Sequence, residues 1–140
     1  MATIKEDYVS FEIAKLLKEK GFPQKQENSG YYATEMVYCT TESKDGTHHF
    51  CHQYPACCDK NYEYICAPTL QMAMKWLREE KNIFIVIEPH AYDYINEKNS
   101  SYVYSLWQGD NYYENPELKS YPSYEEAVEA ALKYVLKNLI

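Results

Sequence analysis

The sequence predicts an α+β protein: three helices packed on a small antiparallel or mixed sheet of about three to five strands. Three observations lead there. Residues 67–140 read in the order helix, strand, strand, strand, helix. The helical stretches carry apolar residues at three- and four-residue spacing, and the extended ones are runs of β-branched and aromatic residues. The helix starts carry capping or turn residues. With 140 residues and 46% hydrophobic composition the chain has the size and apolar material of one domain, assigned here to 1–140. Its most regular unit is 67–140, and 23–66 is an irregular segment containing a hairpin.

The first helix is expected over Phe11 to Lys20. Ser10 is its N-cap, Glu12 suits the positive end of the dipole, and Lys18 and Lys20 suit the negative end. Ile13, Leu16 and Leu17 form its apolar stripe. Gly21 fits the left-handed position after the helix, Phe22 folds back on the last turn, and Pro23 blocks continuation. A polar loop leads to a strand over Tyr31 to Thr41. Lys44-Asp45-Gly46 is a turn signal, and His48 to Tyr54 is the return strand. Tyr62 to Cys66 is a further short extended piece.

The second helix opens at Ala67-Pro68-Thr69, with proline in a first-turn position where its missing amide costs nothing. Leu70, Ala73, Met74 and Leu77 line one face, widened by Met72 and Trp76. The five apolar residues Ile83 to Ile87 argue for a central strand covered on both sides. Residues 91–96 and 101–108 read as a hairpin, and 109–122 as a turn-rich linker. The last helix starts at the capping box Ser123-Tyr124-Glu125-Glu126. Its buried stripe is Tyr124, Ala127, Val128, Ala131, Leu132, Val135 and Leu139.

The charge balance, 14 basic against 21 acidic residues for a net −7, disfavours phosphate backbones and anionic lipid. The N-terminal MATIKEDYVSF has no secretory pattern, and the apolar run 83–87 is far short of a membrane span. Five cysteines, an odd number, fit reduced thiols in a cytoplasm. Tyrosine is the compositional outlier, 16 of 140 residues, and offers large contact area at low entropy cost for a partner surface. The alternative is that these tyrosines half-bury on strands and helix flanks, where the residue is favoured.

Cysteine and histidine crowd between 39 and 66. The candidate metal ligands are Cys39, His49, Cys51, Cys57, Cys58 and Cys66, the basis of a small zinc-supported module as one alternative function. Their spacing departs from the usual ligand pairs two to four residues apart, because adjacent residues of a strand point to opposite faces. The alternative to metal binding is a set of half-buried thiols. No catalytic constellation is found: no cysteine has an activating partner at a defined spacing, and Glu125-Glu126 is explained by helix capping. No cofactor is implied, and the chain is expected not to be an enzyme. The order helix–three strands–helix is also that of double-stranded-RNA-binding modules. Here, however, Glu125, Glu126 and Glu129 stand where such a module presents lysines, so nucleic-acid binding is disfavoured.

The segments APTLQMAMKWLREE (67–80) and SYEEAVEAALKY (123–134), together with the helix from Val9 to Gly21, resemble a family of short uncharacterised proteins of gut-bacterial phages and mobile elements. The resemblance covers about half the chain and implies no activity, cofactor or catalytic residue. What it implies is an accessory protein that binds a host or phage protein. The expected contact residues are the aromatics Tyr92, Tyr94, Tyr102, Tyr104, Tyr112 and Tyr113. A variant of this reading is nucleic-acid mimicry by clustered carboxylates. A homodimer is a further possible use of the aromatic surface.

Overall fold

The structure, a computed structural model, describes residues 6–24, 36–52, 63–89 and 101–140. It is an α+β fold with three helices and two three-stranded antiparallel sheets. The chain divides into two compact units, Met1–Ala73 and Met74–Ile140, with the boundary inside the second helix.

The first unit begins with α1, Phe11–Glu19. The Ser10 hydroxyl accepts from the Ile13 amide at 3.3 Å, satisfying one of the amides that a helix start leaves orphaned. At the other end the Phe22 amide reaches the Leu17 carbonyl (2.9 Å) and the Gly21 amide the Lys18 carbonyl (3.1 Å), with Gly21 at φ +98°. That is a Schellman closure, and it seats Phe22 in the core as expected. The sheet has the order β2-β1-β3, with β1 Met36–Glu42, β2 His48–His52 and β3 Tyr64–Cys66. The β1–β2 hairpin closes at 43–47, where Ser43 and Thr47 both donate hydroxyl hydrogen bonds to Asp45. These bonds, Ser43 first, hold the Asp45 carboxyl down at about 2.

The second helix, α2, spans Leu70–Lys81. It corrects one expectation. Thr69, not proline, caps it, accepting from the Met72 amide at 3.1 Å. Pro68 lies ahead of the cap, where its carbonyl accepts from the Val9 amide at 3.0 Å. The missing proline N–H therefore costs no helix bond from either position.

In the second unit the sheet has the order β4-β5-β6: β4 Ile83–Pro89, β5 Tyr102–Gln108 and β6 Asn111–Tyr113. Two expectations change here. Among the described residues β4 is an edge strand, and Phe84 in its apolar run is 42% exposed rather than covered. The 109–122 stretch is not only linker. A Gly109-Asp110 turn, with Gly109 at φ +59°, returns the chain into β6. Glycine at the first turn position supplies the positive φ that a two-residue hairpin needs. The proposed partner strand 91–96 lies outside the described residues.

The last helix, α3, spans Tyr124–Asn138. Ser123 accepts from the Glu126 amide at 3.1 Å, capping the helix, and its hydroxyl donates to Glu126 Oε2 at 3.1 Å, so the carboxylate orients the capping hydroxyl. Ala127, Val128, Ala131, Leu132, Val135 and Leu136 are buried. α3 packs on β4 and β5. It lies on the face that carries Tyr102, Tyr104 and Leu106, because Tyr124 and Tyr134 meet Tyr102 and Tyr104 edgewise or tilted. Among the described residues no helix is long and apolar enough to cross a membrane.

Candidate functional site

The cysteines come together on one side of the first sheet without forming a metal site. Val37 of β1 pairs with Cys51 on one flank and with Cys66 on the other, and Cys39 is two residues further along. The period of two places all four side chains on the same face, and all are buried. Cys39 stands diagonal to both other thiols, a spacing of roughly 7–8 Å between Cα atoms, wider than a disulfide bridges without backbone movement. None of the three is joined in a disulfide. Burial pushes the Cys66 thiol up to about 11, away from the thiolate that nucleophiles and metal ligands require. His49 is exposed. Among the described residues no group of three or more His, Cys, Asp or Glu is placed to hold a metal ion. Cys57 and Cys58 lie outside the described residues.

The opposite face of that sheet packs against α1. Phe11 stacks on His48 (centroids 3.5 Å apart, planes 7° apart) and meets Tyr38 edge-on at 5.7 Å, while Tyr8 and Tyr38 flank Phe50 at 5.3 and 5.0 Å. The Tyr38 hydroxyl donates to the Val9 carbonyl at 2.6 Å. These rings brace the helix on its sheet.

The tyrosines expected at a partner surface separate into distinct roles. Tyr92 and Tyr94 lie outside the described residues. Tyr102 is half-buried under Tyr124, and Tyr113 is half-buried beside Leu106. Tyr104 is a correction: it is fully buried and cannot contact a partner. Its position in β5 faces α3, and its hydroxyl donates to Glu117 Oε2 at 2.6 Å. The Tyr121 hydroxyl reaches the same oxygen at 2.7 Å. Partial burial raises the Glu117 carboxyl, but the two phenolic donors outweigh it, with Lys119 and Lys133 adding, and its pKa falls below the ordinary value. Burial, followed by the bond to Glu117, pushes Tyr121 up to about 12 and Tyr104 well above the ordinary phenol. The backbones of Tyr102 and Tyr121 exchange two hydrogen bonds, at 2.8 and 2.7 Å. Residues 114–122 are thereby strapped along β5, and Glu117 is explained as the clasp of that strap.

Among the described members of the expected set, only Tyr112 is substantially exposed, at 49%. It belongs to a group the sequence reading missed. Phe84 pairs with Trp107, and Trp107 with Tyr112, so one aromatic row crosses all three strands of the second sheet. The row lies on the face opposite α3. Trp107 is 42% exposed, and its ring lies 4.7 Å from that of Tyr112 with the planes 35° apart. Around the row, Glu88 lies on the same face of β4, Asp110 sits in the adjoining turn, and Glu114 follows Tyr112 by two residues. All three are exposed, and neither 83–89 nor 101–118 contains a lysine or arginine. An exposed aromatic row whose charged neighbours on the described parts of these strands and turns are carboxylates is the candidate site. A signal for it did exist in the sequence, in Trp107 beside the Gly109-Asp110 turn, but the turn had to be read as a hairpin before Trp107 acquired neighbours.

Comparison with protein-family models, with curated proteins and with solved structures gives no match.

Proposed function

We propose that this protein is a non-enzymatic interaction protein that docks a partner protein on the Phe84–Trp107–Tyr112 row. The observation that carries the reading is the exposure of three large rings side by side in one sheet. Such area exposed to water is unfavourable for an isolated fold and is typical of contact surfaces, where aromatic residues dominate the binding energy. The acidic balance of the chain suits a partner of opposite charge. The buried thiols, held in a register that disfavours disulfides, suit a reducing compartment such as the cytoplasm. An accessory role of the kind found among phage and mobile-element proteins accommodates these features.

The test compares proteins retained from a host lysate by the wild type and by a Trp107→Ala/Tyr112→Ala variant of matched melting temperature. A retained protein that the variant loses supports docking on the row. Identical retained sets for the two proteins remove it.

A further inference from the structure

Resting on that docking reading, we infer that the Phe84–Trp107–Tyr112 row receives arginine side chains from a basic, extended segment of the partner. Three features of the surface point to this occupant.

The first is ring geometry. Trp107 and Tyr112 are each about half exposed, with centroids 4.7 Å apart and planes inclined by 35°, so they present two adjacent π-faces or edges to solvent. A planar guanidinium lies flat on such rings and keeps its donors free for carboxylates, which an ammonium does less well. The second is charge. Glu88, Asp110 and Glu114 border the row, and residues 83–89 and 101–118 supply no cation of their own. A purely apolar partner that extended over the row and its rim would desolvate these carboxylates without compensation, which is strongly unfavourable. The partner must therefore bring cations with it. The third is spacing. Glu88 is four residues from Phe84 along β4, roughly 13 Å, and Glu114 is two residues from Tyr112, roughly 7 Å. Arginines repeating every two to three residues along an extended segment can alternate between stacking on the row and pairing with its rim. The same carboxylates repel a phosphate backbone.

The chain provides its own reporter. Of its two tryptophans, Trp76 is 3% exposed and Trp107 is 42% exposed, so added ligand that quenches emission acts chiefly at Trp107. The experiment titrates the full chain with a synthetic peptide of four Gly-Arg-Ser repeats, followed by tryptophan emission and by calorimetry. Peptides with lysine or glutamine in place of arginine, and a single-stranded oligouridylate, are the comparisons. The arginine peptide is expected to bind saturably, and Trp107→Ala and Tyr112→Ala are each expected to weaken it by about tenfold, ~1.4 kcal/mol. Lysine should bind several-fold more weakly and glutamine not measurably. A Glu88→Gln/Asp110→Asn/Glu114→Gln variant should bind more weakly and with a shallower salt dependence.

Four results overturn the inference: no arginine-peptide binding; binding unchanged in Trp107→Ala; oligouridylate binding that depends on Trp107; or a wild-type dimer in sedimentation that Trp107→Ala dissociates, since the row would then belong to a second copy. If the peptide fails while the lysate partner is still lost by the Trp107→Ala/Tyr112→Ala variant, arginine recognition falls and docking on the row stands. If both fail, docking on the row falls with it.

Discussion

In the first unit Phe11, Tyr38 and His48 are half-buried between α1 and its sheet, with the Tyr38 hydroxyl held by the Val9 carbonyl and Phe50, 37% exposed, at the rim against Tyr8 and Tyr38. In the second unit the face under α3 takes Tyr104, while Phe84, Trp107 and Tyr112 line up on the other face and stay half exposed. The residue types are nearly the same, but the physical roles differ. An aromatic ring that fills the gap beneath a helix contributes through burial and through its polar tip, and its exposure is incidental. A ring paired only across strands contributes a few tenths to about one kcal/mol of cross-strand stability, and the rest of its surface is left available to a ligand. Aromatic content alone therefore does not locate a binding surface. The face on which each ring lies does.

Substitutions that separate those roles test the contrast. The largest effect is expected at Tyr104, where replacement by alanine empties a fully buried site under α3 and should destabilise by about 3–5 kcal/mol, read by denaturant unfolding. A loss below that of an ordinary surface substitution would show that Tyr104 is not the internal tyrosine of its sheet. In the first unit Gly21→Ala places a β-carbon on a residue at φ +98° with open space around it, so backbone strain alone sets a cost of about 1–2 kcal/mol. Tyr38→Phe keeps the ring and removes the bond to Val9, and should cost about 1 kcal/mol.

The Glu117 clasp predicts a pH dependence. Its carboxyl titrates below the usual 4.5 when folded, so its contribution is present above that pH and is lost as pH falls through the folded value. Tyr121 is raised from 10 to about 12, so its contribution is present below pH 10 and is lost as pH rises toward 12. An absorbance titration should show delayed tyrosine ionisation that Glu117→Gln brings back toward the ordinary range. An unchanged titration curve in that variant would remove the clasp. The smallest change in stability is expected for Trp107→Ala, about 0.5–1 kcal/mol, because only its cross-strand pairs with Phe84 and Tyr112 are lost from a half-exposed face. A loss as large as that of Tyr104→Ala would make the row structural and end its reading as a contact surface.

Much of the fold could be read locally. Ser10, Gly21 and Ser123 announce their helix ends because caps are satisfied by residues within a few positions along the chain. The apolar stripes of α1 and α3 follow for the same reason, although in α1 Ala14 is buried and Leu16 only half-buried, and in α3 Leu136 joins the buried face while Tyr124 and Leu139 are half-buried. The hairpin at 43–47 was likewise legible from Asp45 and Gly46. The candidate site was not. Ile83 to Ile87 carries no periodicity, so nothing local distinguishes a strand covered on both faces from one that, like β4 among the described residues, leaves Phe84 exposed at the sheet edge. In β5 both alternate sets are largely apolar or aromatic, so the sequence did not say whether Tyr104 or Trp107 would face the helix.

The sequence by itself determined the α+β class, the three helices with the caps of the first and last, much of their core-facing stripes, and an acidic, tyrosine-rich composition. All of these depend on spacings of a few residues and on composition. The tertiary structure decided which aromatic residues are spare. It set the register Phe84–Trp107–Tyr112, buried Tyr104 beneath α3 with Glu117 on its hydroxyl, and placed three thiols on one buried face too far apart to pair readily. Each of those outcomes turns on strand pairing between distant residues. A shift of register by one would send every side chain of a strand to the opposite face.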